Sequence, residues 1–381
     1  MSAPPNPRPL MEHLAQIPDP RVELKCLHDL IDVIMIVTCG TIVGADDFVS
    51  IADFARAKES WFRDRLGLTL RNGIPSHDTL NRVFALVRPE AFNRCFVAWV
   101  ADASAGLSVP HIPIDGKTMR GSKRSTRTGA RKATHIVSAW AHSLGLTLAQ
   151  VKTEDKSNEI TAIPELLQLL DISGALVSID AMGCQKDIAA QVVGQKGDYL
   201  LAVKDNQPRL LEDVQRLADA ALEANYVGRS TDLREEAGRG RQEMRFCFVI
   251  DDLDSIRDRD AWPQMRSVVG VVSSRTVGAQ ASDEVRYYIS SREASAKQFQ
   301  VWVRAHWSIE NSCHWVLDVA FREDHHRLRE GHGPQNMALV RKIALAKLKN
   351  ADAKCGIKNR RLKDGWDSTY LEQVLLKNPE D

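Results

Sequence analysis

The amino-acid sequence predicts a mixed α/β fold, with a helical domain ahead of the sheet and a β-rich intrusion inside it. Three observations carry this. Apolar residues recur at helical spacing from Met11 to about Val100, and from about Val109 they follow the shorter period of strands. Two continuous apolar runs, "ALVSID" and "DYLLAV", stand beside helical patterns, the mark of strands buried on both faces. After Asn206 that rhythm breaks into further strand-like runs, and helical patterning returns only at "AKQFQVWVRAHWSIENSCHWVLDVAF".

Residues 1–10, "MSAPPNPRPL", read as a loose leader, rich in proline and without the cationic start and apolar run of a signal peptide. Residues 11–105 form the helical domain. "VELKCLHDLIDVIMIV" and "DTLNRVFALVRPEAFNRCFVAWV" are its long periodic stretches, separated by a turn at Gly73 and Pro75, with Ser76 placed to cap the next helix. The most apolar window, Leu30 to Ala45, is shorter than the roughly 20 residues of a membrane span and carries Asp32, so it is read as a buried helix.

Residues 106–205 then give, in order, strands at "HIPID", "THIVSAWAH" and "GLTLAQVKT", the last two joined by a turn at Gly145. "SNEITAIPELLQLL" follows as a helix capped by Ser157 or Asn158, with Pro164 near its first turn or kinking it. "ALVSID", the helix "QKDIAAQVV" and "DYLLAV" complete the order β-β-β-α-β-α-β, which is that of a ribonuclease-H-like sheet. Residues 206–291 are the insertion, a polar helix from Pro208 to Ala224 and then three strands at "RFCFVI", "RSVVGVV" and "EVRYYIS". Residues 292–350 rejoin the sheet domain, and 351–381 are expected to be a flexible basic tail.

At 381 residues the chain is long enough for two or three domains. Lys plus Arg (51) balance Asp plus Glu (50), so a nucleic-acid footprint has to come from clustering rather than from the sum. Such a cluster follows "HIPID": Lys117, Arg120, Lys123, Arg124, Arg127, Arg131 and Lys132, with no acid among them. As a loop it suits a polyanion, and a solvated flexible loop is the bland alternative. A second basic set includes Arg341, Lys342, Lys347, Lys349, Lys354, Lys358, Arg360, Arg361 and Lys363, which either tracks DNA or only keeps helices soluble. Arg239, Arg241 and Arg245 in the insertion are offset by Glu235, Glu236 and Glu243. Seven scattered cysteines without a CxxC pair read as reduced thiols in a cytoplasmic protein and argue against a zinc ribbon.

Three carboxylates stand where a core should be. Asp115 ends "IPID" and Asp180 ends "ALVSID", both at the C-terminal ends of apolar strands, where ligands gather in open α/β sheets. Each alone reads equally as a turn former. On neighbouring strands their oxygens suit a divalent cation such as Mg²⁺. In "RAHWSIENSCHWVLD", helical spacing puts His306, Glu310, Cys313 or His314, and Leu317 on one stripe, with Trp307, Ile309 and Trp315 as core anchors. There the two histidines and Glu310 could also bind zinc or simply hydrogen-bond to one another.

At these residues the chain resembles the H-repeat-associated, DDE-type transposases of bacterial insertion sequences. The likeness lies in "IPIDGKTMRGS", "HIVSAW", "KSNEITAIPELL", "SIDAMGCQKDIA", "GDYLLAVKDNQP" and "HWSIENSCHWVLDVAFREDHHRLREGHGPQNMALVRKIALAKLK", and in the N-terminal "LIDVIMIVTCGTIVGADDFVSIADFA". The resemblance implies a catalytic ribonuclease-H-like domain over 106–205 and 292–350, an acidic triad at Asp115, Asp180 and Glu310, and two Mg²⁺ or Mn²⁺ ions per active site. It also implies double-stranded DNA, element ends and target, as substrate, and a homodimer on DNA. In this reading Asp115 bridges both ions while Asp180 and Glu310 hold one each, with water and then a DNA 3′-hydroxyl attacking in line. Lys117 and Arg120, followed by Lys123 and Arg124, are the expected phosphate contacts. The broader group carries Tyr, Arg and Lys around the Glu where this chain has Val303, His306 and Leu317, so His306 or Arg304 is expected to substitute. A DNA-binding relic without metal chemistry, or a plain nuclease, is the rival reading.

Overall fold

Six helices open the chain: α1 (Leu10–Leu14), α2 (Leu30–Val43), α3 (Phe48–Ala57), α4 (Glu59–Leu66), α5 (His77–Leu86) and α6 (Pro89–Ala103). The computed structural model describes residues 10–22, 24, 26–125, 131–153, 159–238, 240–278, 280–351 and 353–376, without the side chains of 124, 125, 131 and 132. Helix α2 is apolar nearly all round and accordingly buried, and it stops where Gly44 turns left-handed at φ 96°. Asp47 caps α3 by accepting from the Ser50 amide, and Ser76 caps α5 as its position in the sequence suggests, accepting from Thr79. Among the described residues no single helix is long and apolar enough to cross a membrane.

Next come β1 (His111–Ser125), β2 (Arg131–Ala141), β3 (Leu146–Thr153), α7 (Glu159–Gln168), β4 (Leu176–Ile179), α8 (Lys186–Gly194) and β5 (Asp198–Val203). The insertion holds α9 (Pro208–Glu223), β6 (Ser230–Gly238), β7 (Arg241–Ile250), β8 (Ser267–Val277) and β9 (Gln280–Ser290). Five helices close the chain: α10 (Ala296–His306), α11 (Trp315–Ala320), α12 (Gly333–Asn350), α13 (Ile357–Trp366) and α14 (Ser368–Leu376). Strand order is β3-β2-β1-β4-β5, continued by β9-β8-β7-β6. The first five strands give the ribonuclease-H-like sheet that the sequence predicts.

The chain divides into two compact units. The second of these, counting along the chain, comprises Val109–Asp115 and Ser157–Ile309. Here the start of β1 pairs parallel with β4, β4 pairs parallel with β5, and β5 meets β9 antiparallel through Leu200↔Ser290 to Val203↔Tyr287. Leu176, Leu200, Val249, Val269, Tyr288 and Phe299 belong to its core, the last brought in by α10. The other unit comprises Met1–Ser108, Gly116–Lys156 and Glu310–Asp381. It joins the N-terminal helices to the remainder of β1, the β2–β3 hairpin turning at Gly145 (φ 65°), and the C-terminal helices. Its centre is α12, buried along almost its whole length.

Four local expectations change. The cationic tract is strand as far as Ser125, where Met119 packs with Ile136 and Ala338 and makes extension worthwhile. A fourth insertion strand, β6, pairs residue by residue with β7, although its mostly exposed side chains leave no apolar alternation to read. The tail expected to be flexible is helical over α13 and α14: Arg361 is buried, donates to the Thr41 and Ala320 carbonyls, and pairs with Asp46 at 2.9 Å. Arg341, Lys342 and Lys347 are buried in α12 rather than exposed, and Lys342 is satisfied by Ser138 Oγ and Gln150 Oε1, both at 2.6 Å. The caps expected at Ser157 or Asn158, and Arg127, lie outside the described residues.

Candidate active site

Within the second unit the register of β1 and β4 decides where two acids stand. Ile114 pairs with Ile179 across the parallel strands, so Asp115 and Asp180 are the next residues where that pairing stops; Asp180 follows the end of β4, whereas β1 runs on to Ser125 and Asp115 lies within it rather than at its end as expected. Asp180 also serves as the turn former it resembles in sequence. Its Oδ1 accepts from the amides of Met182 (3.1 Å) and Gly183 (3.4 Å), which fixes the carboxylate's direction. The turn and ligand readings of Asp180 are therefore compatible.

Beside Asp180 opens a cavity of about 150 Å³, lined among others by Lys204, Arg286, Tyr287, His306 and Trp307. Lys204 and Arg286 were not evident as site residues in the sequence, because they become neighbours only through the β5–β9 pairing. The Arg286 guanidinium lies 4.5 Å from the Trp307 ring centroid and is held by Glu284 at 2.7 Å. His306 is 9% exposed and its Nδ1 stands 2.9 Å from Ser178 Oγ. Burial, with Arg286 adding to it and the Ser178 hydrogen bond opposing it, pulls the imidazole down to about 4. At neutral pH His306 is thus no cation, and toward DNA it has hydrogen bonding alone to offer. Arg304 is exposed and paired with Glu236 at 3.2 Å.

In the first unit the helical stripe expected through Glu310 is interrupted. After α10 ends at His306, residues Glu310–His314 form a π turn, a geometry frequent at functional sites, and α11 starts afresh at Trp315. The break turns Cys313, His314 and Leu317 inward and leaves Trp315 57% exposed, so that tryptophan is not the core anchor its bulk suggests. Trp307, likewise expected in the core, is 45% exposed. Glu310 keeps its carboxylate accessible, with His314 Nδ1 3.4 Å away. The hydrogen bond from His314 and then the charge of Lys117 hold Glu310 below the usual carboxylate range, against the effect of partial burial.

Lys117 is not available as a phosphate contact. Its ammonium is enclosed by Asp318 (2.7 Å), Glu323 (2.9 Å) and Asp324 (3.5 Å). Burial opposes its charge, and the acids overcome this and raise it above its ordinary value. Arg120 stays 79% exposed, with Asp324 at 3.5 Å, and Lys123 is exposed. The side chains of Arg124, Arg131 and Lys132 lie outside the described residues. The acids around Lys117 come from the stretch "LDVAFRED", whose position after Glu310 was the one sequence signal that could have revealed them.

The donors fit a hard divalent cation. Asp115 and Asp180 offer carboxylate oxygens just past the last paired residues of β1 and β4, and Asp180 is aimed by two amides.

Residues 108–346 match the family described as Transposase DDE domain, and residues 11–100 match DDE_Tnp_1-associated. "Putative transposase YncI" of Escherichia coli O157:H7 is 40% identical over 377 residues, 97% of this chain and 95% of that protein. "H repeat-associated putative transposase YhhI" of Escherichia coli K12 is 38% identical over 372 residues, 96% and 97% of the two chains. Among solved structures, a piggyBac transposase synaptic complex with hairpin DNA aligns with 97% of this chain and 79% of that one, at 9% identity and a TM-score of 0.41. With both segments matched in order and relatives aligned almost from end to end, the chain belongs to the DDE transposase family.

Proposed function

We propose that the chain cuts DNA at insertion-sequence ends and joins the freed ends to target DNA, acting as a homodimer on double-stranded DNA. The observation that carries this reading is the pair of aspartates that directly follow the last paired residues of two parallel strands in a chain of this family. Asp115, Asp180 and Glu310 are the proposed residues that would hold two Mg²⁺ or Mn²⁺ ions. When bound, such ions supply charge stabilisation at the nonbridging phosphate oxygens and favour the ionised form of the attacking oxygen.

The protein's own residues supply placement. The amides of Met182 and Gly183 hold the Asp180 carboxylate in one orientation before substrate arrives, which lowers the reorganisation needed at the reaction. His314 keeps Glu310 ionised and directed. In the first reaction water attacks the scissile phosphorus in line and the 3′ oxygen leaves. In the second that 3′-hydroxyl attacks a target phosphodiester, so one P–O bond forms as one breaks. Arg120 and Lys123, exposed farther along β1, are proposed to neutralise flanking phosphates.

Incubating the full chain with an element-end duplex tests this. Nicking that requires Mg²⁺ or Mn²⁺, vanishes in Asp115→Ala, and is followed by joining of the 3′ end to target DNA is the expected result. Retention of DNA without cleavage under any divalent ion would instead identify a binding relic, and cleavage without joining a plain nuclease.

A further inference from the structure

A buried chain of hydrogen bonds crosses the second unit beneath the strand ends. His111 Nε2 lies 2.8 Å from Ser178 Oγ, and the same oxygen lies 2.9 Å from His306 Nδ1. The three side chains are 6%, 2% and 9% exposed. They come from β1, β4 and the last residue of α10. In sequence, His111 precedes Asp115 by four residues, Ser178 precedes Asp180 by two, and His306 precedes Glu310 by four. Each segment that bears one of the three acids therefore contributes one member.

We propose that His111, Ser178 and His306 form a neutral positioning triad, which sets the last turn of α10 against the strands carrying Asp115 and Asp180. This rests on the reading of those acids as metal ligands. None of the three touches substrate in the proposal; each acts through the backbone it anchors. A serine hydroxyl has one proton, so it donates to one ring while the other ring donates to it. Because the two rings take opposite roles toward Ser178, their tautomers are locked to each other and Ser178 is the pivot. Burial adds to this locking by keeping His306 uncharged.

Two alternatives are distinguishable from this arrangement. A histidine serving as a DNA cation would have to be exposed and charged, and His306 is neither. A purely packing role would be met by any apolar residues of similar volume, whereas the triad needs the hydroxyl. Outer ligand-orienting partners of this kind typically change metal affinity or turnover by about 10- to 100-fold when removed.

The test uses Ser178→Ala and Ser178→Thr in the full chain. Mn²⁺ binding without DNA, followed by electron paramagnetic resonance, is expected to weaken about tenfold in Ser178→Ala and to recover in Ser178→Thr. Turnover on an element-end duplex should fall with it at unchanged KM, and DNA affinity and its salt dependence should stay within twofold. Nitrogen-15 NMR of labelled histidine reads the triad independently of activity: one neutral tautomer for His306 in the wild type, a mixture of tautomers in Ser178→Ala. Mn²⁺ affinity within twofold of wild type in Ser178→Ala, or mixed tautomers already in the wild type, would overturn the proposal. So would an equal loss of DNA binding and metal binding, which marks general unfolding. If the wild type neither cleaves nor binds Mn²⁺, the functional reading fails; a single wild-type tautomer lost in Ser178→Ala would then leave the triad standing as a structural device alone, overturning its role toward the acids.

Discussion

Replacing Lys117 with methionine removes the charge at the centre of a buried ionic cluster while keeping most of the side-chain volume. In the wild type Lys117 is 12% exposed and Glu323 only 2%, and their 2.9 Å contact is Glu323's closest ion pair. The other cation facing Glu323 is Arg341, whose Nη1 stands 3.6 Å from Oε1, too far for a hydrogen bond. Removing one partner of such a pair costs about 3–5 kcal/mol, because the remaining charge stays buried without compensation. The cost depends on pH in a defined direction. Burial alone would raise Glu323, and in the wild type Lys117 and then Arg341 hold it below its ordinary range. Without Lys117 the folded protein takes up a proton at Glu323 more readily than the unfolded chain does, so lowering the pH relieves the variant while it weakens the wild-type cluster. Urea unfolding of both proteins at pH 8 and pH 5 is expected to show the larger difference at pH 8. Lys117→Met combined with Glu323→Gln should recover part of the loss, since Glu323 no longer holds an unpaired buried charge while Arg341 gives up that partner. A single-variant loss below about 1 kcal/mol at pH 8 would refute the buried-cluster argument. A drop of about one in the salt-dependence slope of DNA binding would instead restore Lys117 as a phosphate contact.

Three further perturbations have defined outcomes. His306 protonates near 6.5 when unfolded and near 4 when folded, so stability present above 6.5 is lost as pH falls toward 4, by about 3 kcal/mol for this group; comparing wild type with His306→Gln across that window should show the difference, and parallel curves would contradict it. Asp364 is buried, neither of its oxygens has a hydrogen-bond partner among the described residues, and burial pushes it up to about 7. Its folded form binds a proton well before the unfolded chain does, so Asp364→Asn should be stabilising at pH 8 and lose about 3–4 kcal/mol of that advantage by pH 4, as denaturation midpoints would reveal. At Gly121 a Cβ would press into the carbonyl oxygens of Asp324 and His326, so Gly121→Ala should cost about 1–3 kcal/mol and lower the melting temperature, and an unchanged melting curve would show that the backbone there yields freely.

The fold was legible where burial imposed a period. Strands β4 and β5 are buried along almost their whole length, so their side chains are apolar apart from Ser178 and Asp198, and helix α2 is buried and apolar nearly all round. Strand β6 was not legible, because its side chains are mostly exposed and its partner is chosen by backbone pairing with β7, which leaves no trace in composition. The helix expected to run unbroken through Glu310 failed for a different reason. A π turn adds a residue to the local spacing, and no propensity announces it; the pattern from His306 to Leu317 fits a regular helix equally well, while the real break turns Trp315 to solvent.

For the candidate site, the sequence was informative about acids and misleading about cations, and the asymmetry is physical. An aspartate after an apolar run is readily a turn former, so it was the pair on neighbouring strands, rather than either position alone, that set Asp115 and Asp180 apart. A lysine or arginine carries a long apolar stem whose charge can be neutralised by a carboxylate far away in sequence, and one-dimensional clustering cannot distinguish that from exposure. Lys117 read as DNA-facing, and Arg341 and Arg361 as either DNA-facing or merely solubilising, yet all are buried or nearly so, each beside an acid from a distant element: Glu323 for the first two, Asp46 for the third. Arg120 and Lys123 alone, of the described tract, keep their charge in solvent, because on β1 they alternate with the inward Met119 and Ser122. A cationic run thus marks a DNA surface only after the acids that could absorb it have been placed, and here those acids are carried by the segment that follows Glu310.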